Sequence, residues 1–171
     1  MAERVLLPGD PGRALRLAVA LTGGVPAMLN HHRGLWGYTG ATPDGVPLTV
    51  QSTGLGAPSA TAVIGDLALL GARRLVRVGT CVAVDPGLPL GTLVDGADVV
   101  STLLPSDDAP AGARARDLTT AGVVTAAHTA GLELAGVLLV VTEDVNGARL
   151  GDEALHAAEL ELGRRALALL G

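Results

Sequence analysis

Leu75-Val76-Arg77-Val78-Gly79-Thr80-Cys81 constrains this chain more than any other stretch. It is an apolar β-type run with one arginine inside it, closed by a glycine and a threonine. A guanidinium inside a buried strand needs an anionic partner, because an unpaired buried charge is costly. The glycine lets another group approach the backbone closely. The threonine offers a hydroxyl donor. Two earlier stretches also set arginine beside glycine: Leu7-Pro8-Gly9-Asp10-Pro11-Gly12-Arg13 and Arg33-Gly34-Leu35-Trp36-Gly37-Tyr38-Thr39-Gly40. Together they point to convergence on one small anion.

Around this run, short apolar segments alternate with helical ones, the pattern of an α/β sheet with crossover connections. Val5-Leu6-Leu7 reads as a strand that stops at a Gly/Pro turn, followed by a helix over 13–21. Such a strand–glycine loop–helix unit aims free backbone N–H groups and the positive end of a helix dipole at the loop. Neither a Walker A loop nor a GxGxxG fingerprint is present. Strands are expected over 35–39 and 46–52, joined by a turn at Pro43-Asp44-Gly45. A second glycine loop, Thr53-Gly54-Leu55-Gly56-Ala57-Pro58-Ser59, opens a helix over 60–70, with Ser59 at its N-cap or first turn. The Leu75–Val78 strand follows, then strand pieces at 91–94 and 98–104, a polar loop over 105–116, a helix over 118–129, a strand over 137–142 and a last helix over 153–170. Ligands of such sheets collect at the carboxyl ends of strands. Gly9, Gly54 and Gly79 are each expected just after one. Glu143 and Asp144 follow the 137–142 strand in the same way and are acid/base candidates, with the start of the turn at Asn146-Gly147 as their plain structural use.

Composition narrows the field. The 171 residues suffice for one domain with a real core. Aromatic residues make up 1%, with no Phe, so the core must be built from Ala, Val and Leu. Trp36 and Tyr38 suit a specific use or simple packing about equally. The net charge is −5 and there is no basic run, which argues against nucleic acid. All 12 basic residues are Arg, which suits bidentate recognition of phosphate. Cys81 alone cannot make an internal disulfide or a cysteine-based zinc site, and no ligand cluster calls for a metal or cofactor. No apolar run reaches membrane-spanning length and no leader precedes Val5, so a cytoplasmic protein is expected.

The motifs Pro8-Gly9-Asp10-Pro11-Gly12-Arg13-Ala14, Arg33 to Gly40, Gly54-Leu55-Gly56-Ala57-Pro58-Ser59 and Arg77-Val78-Gly79-Thr80-Cys81 resemble, in order and approximate spacing, the nucleoside phosphorylase family of the bacterial hexameric purine nucleoside phosphorylase and uridine phosphorylase type. The resemblance implies an α/β fold of three layers, with a central mixed β-sheet flanked by helices. It implies a homodimer as the smallest active unit, or a higher oligomer. The implied reaction is attack of inorganic phosphate, as co-substrate, on C1′ of a purine or pyrimidine nucleoside, which releases the base and ribose 1-phosphate. Carried over by position, Gly9, Arg13, Arg77 and Thr80 form the phosphate cradle, and Arg33 reaches in from a partner subunit. Leu55 lies near the ribose, with Cys81 and Thr119 on the nucleoside side.

The second half departs from the family pattern. Residues 1–171 read as one phosphorylase-like domain whose usual base-binding segment is shortened around 105–117. Asp117-Leu118-Thr119-Thr120-Ala121 resembles a family helix start in which a ribose-binding Glu stands where this chain has Thr119. A hydroxyl cannot replace a bidentate carboxylate acceptor. Val82 stands where a Gly is usual. Val140-Val141-Thr142-Glu143-Asp144 resembles the strand that carries the family's acid. Glu143 aligns without a gap and Asp144 keeps the residue type, so both stay open. Arg149, His156 and His128 read as ordinary surface or structural residues, while His31 and His32 adjoin Arg33. Three functional readings stand: a reduced nucleoside phosphorylase, a related N-glycoside hydrolase, and a non-catalytic homologue that binds phosphate or a nucleotide as a sensor or partner subunit.

Overall fold

The computed structural model describes residues 1–102 and 108–171. The 98–104 strand and the 105–116 loop expected from the sequence lie partly outside the described residues. Nine strands form one mixed sheet: β1 (Arg4–Pro8), β2 (Ala27–Asn30), β3 (Gly37–Ala41), β4 (Pro47–Gln51), β5 (Arg74–Ala83), β6 (Leu93–Asp95), β7 (Val99–Ser101), β8 (Ala115–Asp117) and β9 (Glu133–Glu143). Four helices flank it: α1 (Pro11–Leu21), α2 (Gly56–Leu69), α3 (Thr120–Thr129) and α4 (Asp152–Leu170). The strand order is β2-β3-β4-β1-β5-β8-β7, with β9 paired to both β5 and β6. The expected three layers around a mixed sheet are therefore present.

Alternation along the central strands sends successive side chains to opposite faces. Leu6, Val76 and Val78 pack with Leu17, Leu162 and Ala166 under α1 and α4. Val5, Leu7 and Leu75 pack with Ile64, Val123 and Ala127 under α2 and α3. With no Phe available, these fully buried aliphatic side chains supply the burial energy, about 1.5–3 kcal/mol for each. Tyr38 is buried in the α1/α4 core and Trp36 packs against it, so both aromatics serve packing. Among the described residues no helix is long and apolar enough to cross a membrane.

The centre of the sheet forks at β5. β1 runs parallel to β5 from Arg4↔Arg74 to Pro8↔Val78 and then leaves it. β8 joins antiparallel at Val82↔Arg116 and Ala83↔Ala115. Gly79, Thr80 and Cys81 thus lie between two partners on that side, while β9 pairs along the other side from Arg74 to Val82. This corrects the expected end of the strand at Gly79. β5 continues five residues past Val78, because β9 extends alongside it and supplies the hydrogen bonds. β4 also runs parallel to β1, so Pro8 and Gln51 end on the side where the fork opens.

Three further differences have local causes. α2 begins at Gly56, four residues before the expected Ala60, and Ser59 is not its cap; its hydroxyl donates to the Thr53 carbonyl at 2.6 Å. β2 is missing from the sequence reading, since its pattern is exposed and it is an edge strand paired only to β3. β8 occupies the end of the expected polar loop, where Ala115 and Asp117 turn inward.

Candidate functional site

One cavity of about 600 Å³ opens at the fork, lined among others by Gly9, Arg13, Leu55, Arg77, Thr80, Cys81, Thr119 and Glu143. Two loops make its floor. Gly54 N–H donates to the Gly9 carbonyl at 3.0 Å, and Thr53 N–H to the Pro8 carbonyl at 2.8 Å. Gly54 has φ +72, a left-handed conformation that favours glycine, so the second loop can turn under the first. Asp10 caps α1 by accepting from the Arg13 N–H at 2.6 Å.

Arg77 reaches the cavity from the α2/α3 face of β5. Its Nη1 donates to the carbonyls of Leu7 at 3.1 Å and Val78 at 2.7 Å, and its Nη2 lies 3.7 Å from the Asp117 carboxylate. Its Nε is buried without a hydrogen-bond partner. The guanidinium lies across Gly79, where a Cβ would come within 2.6 Å of Nη2. Gly79 is thus the room that lets the arginine fold back along its own strand. Burial pushes the Arg77 guanidinium down to about 10, the Asp117 carboxylate works against this, and the Arg13 cation adds to it. Arg77 is therefore cationic across the neutral range, and a second cation stands close by.

Arg13 enters from α1, and its Nε donates to the buried Glu159 carboxylate of α4 at 2.7 Å. Asp117 is itself held by the start of α3. It accepts from Ser101 Oγ and Thr120 Oγ1, both at 2.6 Å, and from the Thr120 N–H at 3.0 Å. Burial, and secondarily the Asp117 charge, pushes the Cys81 thiol up to about 12, so Cys81 is a neutral wall residue. The Thr119 hydroxyl accepts from the Gly56 N–H at 3.3 Å, a bond that ties α3 to the start of α2.

The two carboxylates left open by the sequence part ways. Glu143 lines the cavity and accepts from Arg149 Nε at 2.9 Å. Asp144 does not line it; its carboxylate accepts from the N–H groups of Asn146 and Ala148, at 2.8 and 2.9 Å, in the turn that follows. Arg33 also lies outside the cavity lining. It sits in a single 3₁₀ turn over His32–Gly34 with φ 56, the one non-glycine residue at positive φ among the described residues. His31 and His32 stack on each other, with ring centroids 4.6 Å apart, and do not reach the cavity.

The cavity includes residues that the sequence reading passed over. Arg149 turns back from the Asn146-Gly147 turn to bridge Glu143 at the cavity mouth, with its side chain largely exposed as expected of a surface residue. Only five residues separate the pair across that turn, and this closeness was the available signal. Arg116 and Asp117 reach the site because β8 pairs with the end of β5, which no local pattern announces. The lining carries four arginines (13, 77, 116 and 149) and three carboxylates (Asp10, Asp117 and Glu143). Among the described residues no group of three His, Cys, Asp or Glu side chains could hold a metal ion.

The fold and cavity define an α/β protein with an arginine-lined ligand site over the fork of a parallel sheet core. The chain belongs to the phosphorylase superfamily, whose family model matches residues 3–114. It is 44% identical over 87 residues to a DeoD-type purine nucleoside phosphorylase of Geobacillus kaustophilus, which covers 50% of this chain and 36% of that protein. It is 38% identical over 94 residues to a uridine phosphorylase of Thermococcus kodakarensis, covering 55% of this chain and 33% of that protein. A uridine phosphorylase of Treponema pallidum is 38% identical over 90 residues, covering 53% and 34%. The chain spans about a third of the length of these curated relatives.

Proposed function

We propose that this protein is a nucleoside phosphorylase of a single reduced domain, which cleaves the N-glycosidic bond of a purine or pyrimidine nucleoside with inorganic phosphate. The observation that carries the reading is the pairing of Arg77 and Arg13 in one cavity with Gly9 and Thr80. Arg77 is fixed at the cavity wall by the Leu7 and Val78 carbonyls and by Asp117, which preorganises a cationic group beside Arg13. Guanidinium forks hold phosphate by short charge-assisted bonds and need little reorganisation when charge moves.

In the reaction, a phosphate oxygen forms a bond to C1′ as the C1′–N bond breaks, and the bonding pair leaves with the base. Arg13 and Arg77 hold the nucleophile, with Gly9 N–H and Thr80 Oγ1 as the remaining donors. Glu143 is the carboxyl placed to pass a proton to the departing base, and Arg149 orients it. Asp144 is committed to its turn. Leu55, Cys81 and Thr119 form the nucleoside side of the pocket. The nucleoside and phosphate are the only ligands invoked, with no cofactor.

The site asks for one more cation. Arg13, Arg77 and Arg149 each contact a carboxylate: Glu159, Asp117 and Glu143 respectively. Much of their charge is thereby offset before a phosphate arrives. Arg33 of the partner subunit supplies the missing charge in a homodimer or larger assembly. Its left-handed backbone costs energy that a functional placement justifies. Apolar side chains are exposed on the same side of the fold: Met28 and Leu29 on the edge strand and Leu69 and Leu70 at the end of α2.

Base release from a panel of nucleosides, measured with and without phosphate, tests the reaction. Phosphate-dependent release with ribose 1-phosphate as the second product is expected. Release that ignores phosphate would move the protein to the hydrolases. No release from any nucleoside, with phosphate still bound, favours the second reading, a phosphate- or nucleotide-binding sensor or partner subunit. That reading draws on Thr119, whose hydroxyl is taken by Gly56 rather than held free for a ribose.

A further inference from the structure

We propose that Glu159 is a positioning residue for the phosphate site: it sets the Arg13 guanidinium from behind, and Arg16 shares the carboxylate so that Arg13 does not face it alone. The inference rests on the phosphate reading above. Glu159 does not line the cavity, while Arg13 does. The Glu159 carboxylate is 1% exposed and lies 146 residues along the chain from Arg13. One of its oxygens accepts from Arg13 Nε at 2.7 Å. The other accepts from Arg16 Nε at 2.8 Å and lies 2.7 Å from Arg16 Nη2.

The choice of atom matters. Glu159 takes the Nε edge of Arg13, and the two Nη groups make no hydrogen bond among the described residues. They are the donors left for the cavity. The charge count matters equally. A lone carboxylate against Arg13 would cancel it. Arg16 on the second oxygen shares the Glu159 charge with Arg13, while the half-exposed Asp10 lies against the outer side of Arg16. Stability alone does not call for such a cluster, because a buried ionic group can often be replaced by apolar residues at little cost or with a gain.

Two further contacts fix the geometry. Gly163 lies one turn beyond Glu159 on the same face of α4. A Cβ there would come within 2.6 Å of Leu17 Cδ2, so α4 touches α1 at this point. The crossing sets the distance from the Glu159 backbone to Arg13. Asp10 caps α1 on the Arg13 N–H and lies 3.9 Å from Arg16 Nη2. The glycine loop, both arginines and the C-terminal helix are therefore tied together by direct contacts.

The test measures inorganic phosphate affinity by calorimetry, and KM for phosphate and for nucleoside separately, in the wild type, Glu159→Gln and Arg16→Gln. Loss of one charge-assisted bond that orients a ligand group predicts phosphate binding weaker by about tenfold in Glu159→Gln. The nucleoside KM should stay within about twofold. Arg16→Gln should also weaken phosphate, although Arg16 does not line the cavity, because Arg13 then faces the carboxylate alone. A lowered thermal midpoint with unchanged phosphate affinity in both variants would show a purely structural cluster and overturn the proposal. If Glu159→Gln does not fold, unchanged phosphate affinity in Arg16→Gln overturns it by itself. A wild type that binds no phosphate overturns the parent reading, and this one with it.

Discussion

Arg77 shows how one residue can be legible in its need and illegible in its partners. An arginine in a β-type run must meet negative charge, and the sequence says so. It does not say that Asp117 stands 3.7 Å away, nor that the guanidinium folds over Gly79. The pH behaviour follows from its burial. The native guanidinium loses its proton near 10, below its ordinary value of 12.5, so it is charged at all lower pH. Phosphate affinity that depends on this charge should hold to about pH 9 and fall as pH rises through about 10. Titrations across that range check this; an affinity flat to pH 11 would contradict it. Cys81 behaves in the opposite sense. Its thiol is raised from 9.0 to about 12, so the native state holds the proton more tightly than the unfolded chain. The stability this contributes is complete below about pH 9 and is lost as pH rises towards about 12. A thiol reagent at pH 8 should leave the folded protein unlabelled and label it in denaturant. Rapid stoichiometric labelling of the native state would refute the assignment.

At the scale of elements, the strand–loop–helix from β1 to α1 and the β3–β4 hairpin were legible because their signals are local: a glycine-proline turn and a Pro-Asp-Gly turn. The fork in the sheet was not. β5 looks four residues long by its own apolarity, yet it runs for ten because β9 and β8 lend it partners from distant sequence. Glu159 escaped for the same reason: a charge on an apparently polar helix face reads as solvated until another element packs on it. Helix packing also rests on contacts that no periodicity reveals. Gly122 of α3 meets α2 so closely that a Cβ would lie 2.5 Å from Ala57 Cα. Gly122→Ala should force these helices apart and cost about 1–3 kcal/mol. Denaturant unfolding measures this, and an unchanged midpoint would show that the crossing can relax. Because Thr119 ties α3 to Gly56 beside the site, the same variant should also disturb the Leu55–Thr119 side of the cavity.

For the whole molecule, the described chain gathers Gly9, Arg13, Arg77 and Thr80 in one cavity but keeps Arg33 exposed, beside a strand whose apolar side chains face outward. Arg33→Ala should therefore weaken phosphate binding only where subunits associate, with light scattering and calorimetry run at matched concentrations. An equal effect in monomer and oligomer would contradict donation across an interface. The order of the four glycine-containing motifs, three of them with an arginine, was enough to place the family. Departures from the family pattern in the second half were visible too, but the contacts made there, Arg149 to Glu143 and Thr119 to Gly56, came only with the fold. Everything else depends on the cavity at the fork being an anion site centred on Arg77. Calorimetric titration of inorganic phosphate into the wild type and Arg77→Ala tests that claim most directly. The account predicts one phosphate bound per subunit in the wild type and no measurable binding in the variant. Equal binding by the two proteins would contradict it.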